Sequence, residues 1–393
     1  MKKVVLYGAA LAGEKFYWAY RNKYQIEYVL DQCNNRFFHN IPVYSFEEKK
    51  QDLHGHFVIV ATEKEFIYHE ISENLKSIGM TELKDFISVQ MVEKKLVVMY
   101  GNCHLIILEK YLQKQPEFQR RYVVKRYYIA DIEEKRRYPS ENVLAHCLVL
   151  ITQDIHEKNS FKVPSAKEMI KKTSTDCKNI IIPNLYGFNF FFPQTASMDE
   201  TVLKRHINEN AINVDISKPQ NHYIKYVCTW IAGWRDKYIE SAFELDGGVS
   251  DIEKMINYKE ICSKENIVNN FENQLEKLKK REIGCNIRIS DFIEKNYKTK
   301  QLFYDPYHPC NVLIYEKGKR ILSLLNLEIQ EDVEVDDALD DGELFIYGCV
   351  KNALGIIYEQ KYIKHYRHIC TLHNHALSLS EYIEEYFAWY FGQ

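Results

Sequence analysis

The chain has 393 residues, 46% hydrophobic and 27% charged, with a formal net charge of −3. That length accommodates two or three domains of roughly 100–200 residues, each long enough to bury a core. The near balance of charge excludes the strongly basic field of a nucleic-acid binder, and no apolar run approaches the roughly 20 residues of a membrane span.

In chain order, Val4–Tyr7 reads as a buried strand, closed by Gly8-Ala-Ala-Leu-Ala-Gly13 and followed by a helix over residues 14–21. Ile26–Leu30 is a second strand ending at Asp31, residues 57–61 are a further strand, and residues 65–78 are a helix. This is the order of a nucleotide-binding half-domain. The turn is G-x-x-x-x-G, with Ala10 where a dinucleotide fingerprint has its middle glycine. Two readings stay open: Gly8, Gly13 and Asp31 bind a nucleotide, or the unit is a bare Rossmann-like scaffold with Asp31 as a turn residue. The segments VVLYGAALAG, VLDQ, IPVYSFEE and FVIVAT resemble the small Rossmann-like domains that accompany sugar-modifying enzymes.

The opening repeats at Lys94, where KKLVVMYG echoes the KKVVLYG of Lys2. A second α/β unit is therefore expected, with the two meeting near Glu93. Its strands are Leu96–Tyr100, residues 147–152 and residues 179–182, with a helix over residues 105–113. Residues 253–280 read as one charged helix and residues 313–325 as another. Residues 331–341 are an acidic loop, and the aromatic last fifty residues are helical. The expected architecture is α/β with two α/β domains: a Rossmann-like domain over 1–93, a larger domain over 94–330, and a helical C-terminal extension over 331–393.

The ten cysteines are scattered singly without a CxxC pair, which argues against a zinc ribbon and fits a reducing cytoplasm. The first apolar run is too short for a signal peptide. Cys103 follows Gly101-Asn102 between a strand and a helix. A helix N-terminus there favours a thiolate, and its N–H groups can face an oxyanion. A small buried cysteine plugging a tight turn fits the same pattern. Asp305-Pro-Tyr-His308 supplies a general base with a carboxylate to orient it. Cysteine, then Asp, then His follows the order of SGNH-type hydrolases and acyltransferases, with cysteine in the serine position. Cys103, His104, His308 and Cys310 form a poorer metal set, because adjacent Cys-His is bad chelate spacing. Arg120, Arg121, Lys125 and Arg126 alternate with tyrosines and fit either phosphate contacts or a solvated strand face. His365, His368, His373 and His375 read as a surface tail, and Trp230 and Trp234 as core.

Taken together, strand-GNCH-helix, VLITQDI, IIPNLYGFNFFFP and IRISDFIEKNYKTKQLFYDPYHPCNVLIYEKGKRIL resemble the WcbI family over roughly residues 94–325. The resemblance implies acetyl transfer from coenzyme A in capsular-polysaccharide biosynthesis, on a WcbI-like, SGNH-like domain. It implies catalytic Cys103, His308 and Asp305, with Gly101, Asn102, His104, Gln153 and Asn184 binding substrate or CoA. The family commonly has glutamine where this chain has His104. The implied partners are an acyl-CoA donor and a glycan acceptor, with no metal, no nucleic acid and no membrane span. A homo-oligomer remains open, as does a nucleotide in the first domain. The alternatives are an esterase that removes acyl groups from a glycan, or a non-catalytic nucleotide-sugar-binding scaffold.

Overall fold

The structure, a computed structural model, describes residues 1–32, 36–129, 138–159, 163–192, 195–196, 234–245, 247–335, 343–360 and 377–391. Trp230, the four tail histidines and the later part of the acidic run lie outside the described residues, as does the side chain of Trp234.

The first sheet has six strands: β1 (Lys2–Tyr7), β2 (Tyr24–Leu30), β3 (Phe37–Phe38), β4 (Ile41–Tyr44), β5 (Val58–Val60) and β6 (Phe86–Ser88), in the order β3-β4-β2-β1-β5-β6. All neighbours run parallel except β3 and β4. Those two are joined through His39 and Asn40, both at positive φ (49° and 66°), as a two-residue hairpin turn requires. Three helices accompany it: α1 (Leu11–Tyr20), α2 (Phe46–Lys49) and α3 (Glu65–Ser77). A reciprocal capping box between Ser45 and Glu48 starts α2.

Gly8 closes β1 at φ 119°, where a Cβ would stand 2.6 Å from the Ala61 carbonyl oxygen. Only glycine fits that backbone. Gly13 packs against the Gly8 carbonyl oxygen, and Ala9 N–H donates to Asp31 Oδ2 at 2.5 Å. Gly8, Gly13 and Asp31 thus share one strand-end turn, and the Asp31 carboxylate holds it.

The second sheet is separate and wholly parallel. Its strands are β7 (Lys95–Gly101), β8 (Tyr122–Tyr128), β9 (Val149–Gln153) and β10 (Lys178–Ile182), in the order β10-β9-β7-β8. Parallel strands covered on both faces read as continuous apolar runs, as LVVMY and VLIT do. Side chains alternate across the sheet: Val97 and Met99 join Ile151 and Ile180 in one core, and Leu96, Val98 and Tyr100 join Leu150 in the other. In chain order the helices here are α4 (His104–Gln113), α5 (Pro116–Arg121), α6 (Glu141–His146) and α7 (Ala166–Ile170).

Beyond the short pair β11 (Thr195–Ala196) and β12 (Trp234–Arg235), the chain is helical: α8 (Lys237–Glu244), α9 (Val249–Tyr258), α10 (Lys264–Glu282), α11 (Ser290–Asn296), α12 (Asn311–Leu324), α13 (Gly348–Leu354) and α14 (Leu379–Phe391). The single helix expected over residues 253–280 is in fact two. Ser263 caps the second, its hydroxyl accepting from Asn266 N–H at 3.2 Å, and the four residues before it lie outside either helix. An aromatic core containing Phe188, Phe190, Phe271 and Phe303 binds these helices to the segment that follows β10. On the first face of the second sheet, α12 packs against α4.

Candidate active site

The site lies at the carboxyl ends of β7, β9 and β10, the usual ligand position in an open parallel sheet. Gly101 ends β7. A Cβ there would stand 2.5 Å from Gln153 Oε1, so the glycine admits the fully buried Gln153 side chain from the end of β9. Asn102 N–H donates to Gln153 Oε1 at 2.7 Å, and Gln153 Nε2 returns a bond to Asn102 Oδ1 at 2.7 Å. His104 N–H also donates to Asn102 Oδ1, at 3.1 Å.

Two backbone N–H groups, whose direction is unambiguous, therefore fix both amides. The Asn102 amide nitrogen is left to donate to Asn184 Oδ1 at 3.1 Å, just beyond β10. This leaves the Asn184 amide nitrogen as a donor with no partner among the described residues.

Cys103 is the N-cap of α4 and makes no capping bond with its side chain. The N–H groups behind it are engaged within the turn: His104 with Asn102 Oδ1, Leu105 with the Asn102 carbonyl, Ile106 with the Cys103 carbonyl.

The opposing loop is a tight return between Phe303 and Pro309, which form an antiparallel bridge. Asp305 is fully buried. Its Oδ1 accepts from Tyr307 N–H at 2.6 Å and His308 N–H at 2.9 Å, and its Oδ2 accepts from His308 Nδ1 at 2.7 Å. With Nδ1 facing Asp305, Cys103 acts electrostatically on the same His308 ring. Burial is the largest single influence on His308 and lowers its pKa. The charge and hydrogen bond of Asp305, with the Cys103 contact, outweigh it and hold the imidazole well above its usual 6.5.

His104 is buried. Its Nε2–H donates to the Tyr307 carbonyl at 2.8 Å, which binds the Cys103 helix to the Asp305–His308 loop. A glutamine amide could donate the same bond. Burial first, then the charge of Lys317, push the His104 pKa far down; the Tyr307 bond opposes them weakly, and His308 adds to the lowering. The ring is therefore neutral, and its Nδ1 has no partner among the described residues.

All eight residues expected at this site, Gly101, Asn102, Cys103, His104, Gln153, Asn184, Asp305 and His308, fall in this one cluster. Gly8, Gly13 and Asp31 are grouped in the other sheet. The basic residues before β8 and within it are paired internally: Arg120 and Arg121 with Glu117, Lys125 with Glu82, and Arg126 with Glu109.

Sequence reasoning missed Lys317. Its Nζ donates to the Pro183 carbonyl at 2.8 Å, directly before Asn184, from a side chain only 1% exposed. Burial pushes its pKa down to about 7; Cys285 and Glu282 oppose the shift and Arg281 adds to it. The signal was present, because Leu313, Ile314, Lys317, Gly318, Ile321 and Leu322 form one buried helical stripe with a lysine inside it.

Fold and site together define an α/β protein with a cysteine–histidine–aspartate cluster at the carboxyl ends of a parallel sheet. The profile of the polysaccharide biosynthesis enzyme WcbI matches residues 96–224 and 234–330, more than half of the chain, and the chain belongs to that family of polysaccharide biosynthesis enzymes. Its fold is similar to a solved structure of WcbI, described as a novel polysaccharide biosynthesis enzyme in its native form without a disulfide bond between coenzyme A and one of its cysteines. The TM-score is 0.52 at 17% identity, over 76% of this chain and 91% of that one. No curated protein matches in sequence. Among the described residues, no helix is long and apolar enough to cross a membrane.

Proposed function

We propose that this protein transfers an acyl group, acetyl in the simplest case, from coenzyme A to a sugar hydroxyl during surface-polysaccharide biosynthesis in the cytoplasm. The observation that carries this reading is the Asp305–His308 pair at 2.7 Å, tied to the helix that Cys103 caps by the His104–Tyr307 hydrogen bond at 2.8 Å. The relative solved with reference to a coenzyme A–cysteine disulfide supports coenzyme A as the donor.

In the proposed sequence the Cys103 thiolate attacks the thioester carbonyl. The CoA sulfur leaves and takes the proton held by His308. A sugar hydroxyl then attacks the acyl-cysteine, giving its proton to His308, and the Cys103 thiolate departs. Asp305 fixes the tautomer and steadies the imidazolium without itself taking the proton. The N–H groups of His104, Leu105 and Ile106 are engaged inside the turn, so the Asn184 amide nitrogen, a donor with no partner among the described residues, is assigned the oxyanion role. Gln153 and Asn102 are positioning residues. Residues 1–93 are proposed as a separate domain, followed by the acyltransferase domain over 94–330 and the helical extension over 331–393.

The test is transfer of labelled acetyl from acetyl-CoA to polysaccharide from the source strain. Label should reach the glycan with the native chain and not with Cys103→Ala. Release of acetate without glycan labelling would instead make the protein a thioesterase.

A further inference from the structure

We propose that Arg281, stacked on Tyr186 at the carboxyl edge of the second sheet, docks the phosphate-bearing end of coenzyme A. The proposal rests on the reading of coenzyme A as the donor.

The loop that leaves β10 links this point to the reacting residues. Asn184 bonds Asn102 at 3.1 Å, Tyr186 follows with 47% of its surface exposed, and Gly187 N–H donates to the Pro306 carbonyl at 2.6 Å. Tyr186 therefore stands on the rim between the Cys103 turn and the Asp305–His308 loop. From the other side, α10 ends and the chain doubles back along β10. Asn286 N–H donates to the Ile181 carbonyl at 2.8 Å, and Ile181 N–H donates to Asn286 Oδ1 at 2.6 Å. This return sets the Arg281 guanidinium over the Tyr186 ring, 4.5 Å from its centroid.

A cation in the last turn of a helix is ordinary, because the dipole favours it. Lys279 serves that end too, and it is paired with Glu276 and Glu294. Among the described residues neither Lys280 nor Arg281 has a carboxylate partner, and of the two it is Arg281 that is set over Tyr186. The neighbouring Glu282 turns inward to Ile289 N–H, Ser290 N–H and the Ser290 hydroxyl.

Several other cations are engaged: Lys317 with the Pro183 carbonyl, Arg320 with Asp291 and Glu316, Lys125 with Glu82, and Arg126 with Glu109. A guanidinium set over a ring in this way can still offer its N–H fork for bidentate phosphate contact. The position suits coenzyme A, whose pantetheine arm separates its sulfur from its phosphates. With the sulfur at Cys103, the phosphates belong on the rim and not in the buried amide network.

The experiment is calorimetry on the full chain with coenzyme A and with adenosine 3′,5′-bisphosphate, comparing the native protein with Arg281→Gln and Arg281→Lys. Iodoacetamide alkylation of Cys103, read by peptide mass spectrometry, reports on the site without needing a phosphate. Arg281→Gln should weaken coenzyme A by about tenfold or more, as loss of a charged hydrogen-bonding partner implies. It should also abolish competition by the bisphosphate while leaving the alkylation rate unchanged, and Arg281→Lys should recover only part of the affinity. Equal coenzyme A affinity in native and Arg281→Gln chains overturns the proposal, as does an altered alkylation rate, which would mark Arg281 as structural. Uridine diphosphate titrated into the CoA-saturated protein covers the other source of phosphate. If only its binding depends on Arg281, the anion site belongs to a nucleotide-sugar acceptor and the proposal fails. If the native chain does not bind coenzyme A at all, it is the donor reading that fails first.

Discussion

Replacing Asp305 with Asn tests the pair at the centre of the site. The carboxylate is fully buried and accepts three hydrogen bonds, from Tyr307 N–H, His308 N–H and His308 Nδ1–H. Asparagine has the same shape but a single acceptor oxygen. If that oxygen keeps the two backbone N–H groups, its NH2 faces Nδ1. The ring must then carry its proton on Nε2 and lose its lone pair toward Cys103. The direct loss is a charge-assisted bond worth about 1.5–3 kcal/mol, or about 3–5 kcal/mol if His308 remains charged and unpaired. The same tautomer error costs roughly 10⁴ in rate in a serine triad.

The effect has a definite pH dependence. Burial lowers the His308 pKa, but Asp305 and Cys103 together raise it well above 6.5. A histidine raised in the folded state contributes stability that is fully present below its unfolded pKa of about 6.5 and is lost as pH rises through the folded value. The native chain should therefore exceed Asp305→Asn in stability most clearly near about pH 6, and the gap should narrow at an alkaline pH above the folded value. Urea melts at both pH values measure this. Histidine-selective NMR, with His308 assigned through its absence in His308→Gln, should show its midpoint fall in Asp305→Asn. An unmoved midpoint, or a stability gap constant with pH, would refute the argument.

Three further outcomes are expected. Gly101→Ala drives a Cβ to 2.5 Å from Gln153 Oε1 and should cost about 1–3 kcal/mol in urea melts. Gln153→Ala removes that obstacle, so the double mutant should lose clearly less than the sum of the two singles, and strict additivity would contradict the proposed close contact. Lys317 has a depressed folded pKa of about 7 against roughly 10.4 unfolded, so its buried charge destabilises the fold below about pH 7 and the cost is relieved as pH rises toward 10. Relative to the native chain, Lys317→Met should be more favourable at about pH 6 than at about pH 10, and a reversed trend would show that the ammonium is not buried as described. A chain of residues 94–393 should fold and bind coenzyme A in calorimetry, whereas binding retained only by residues 1–93 would overturn the proposed division.

What could be read from the sequence follows from how local each signal is. Lys2–Gly8 and Lys94–Gly101 were readable as strands because a charged start, an apolar run and a terminal glycine all lie within eight residues. The break between α9 and α10 was not, because Lys259 and Glu260 suit a helix and only the Ser263 cap marks the restart. The β3–β4 hairpin was hidden for a similar reason: its turn uses His39-Asn40 at positive φ without a glycine.

At the site, Cys103, Asp305 and His308 were suggested by residue chemistry, and their grouping by motif order. The direction of each amide needed coordinates, because Gln153 and Asn102 are oriented by the backbone N–H groups of Asn102 and His104, and Asn184 in turn by the Asn102 side chain. Arg281 could not be singled out among neighbouring basic residues, since its stacking on Tyr186 joins positions about a hundred residues apart.

The most direct measurement of the central claim is intact-mass and peptide mass spectrometry of the full chain after brief exposure to acetyl-CoA without acceptor. The account predicts one acetyl group on Cys103 in the native protein, none in Cys103→Ala, and strongly slowed acetylation in His308→Gln. Acetyl-CoA that binds and turns over while Cys103 stays unmodified, or acetylation that proceeds equally well in His308→Gln, would contradict it.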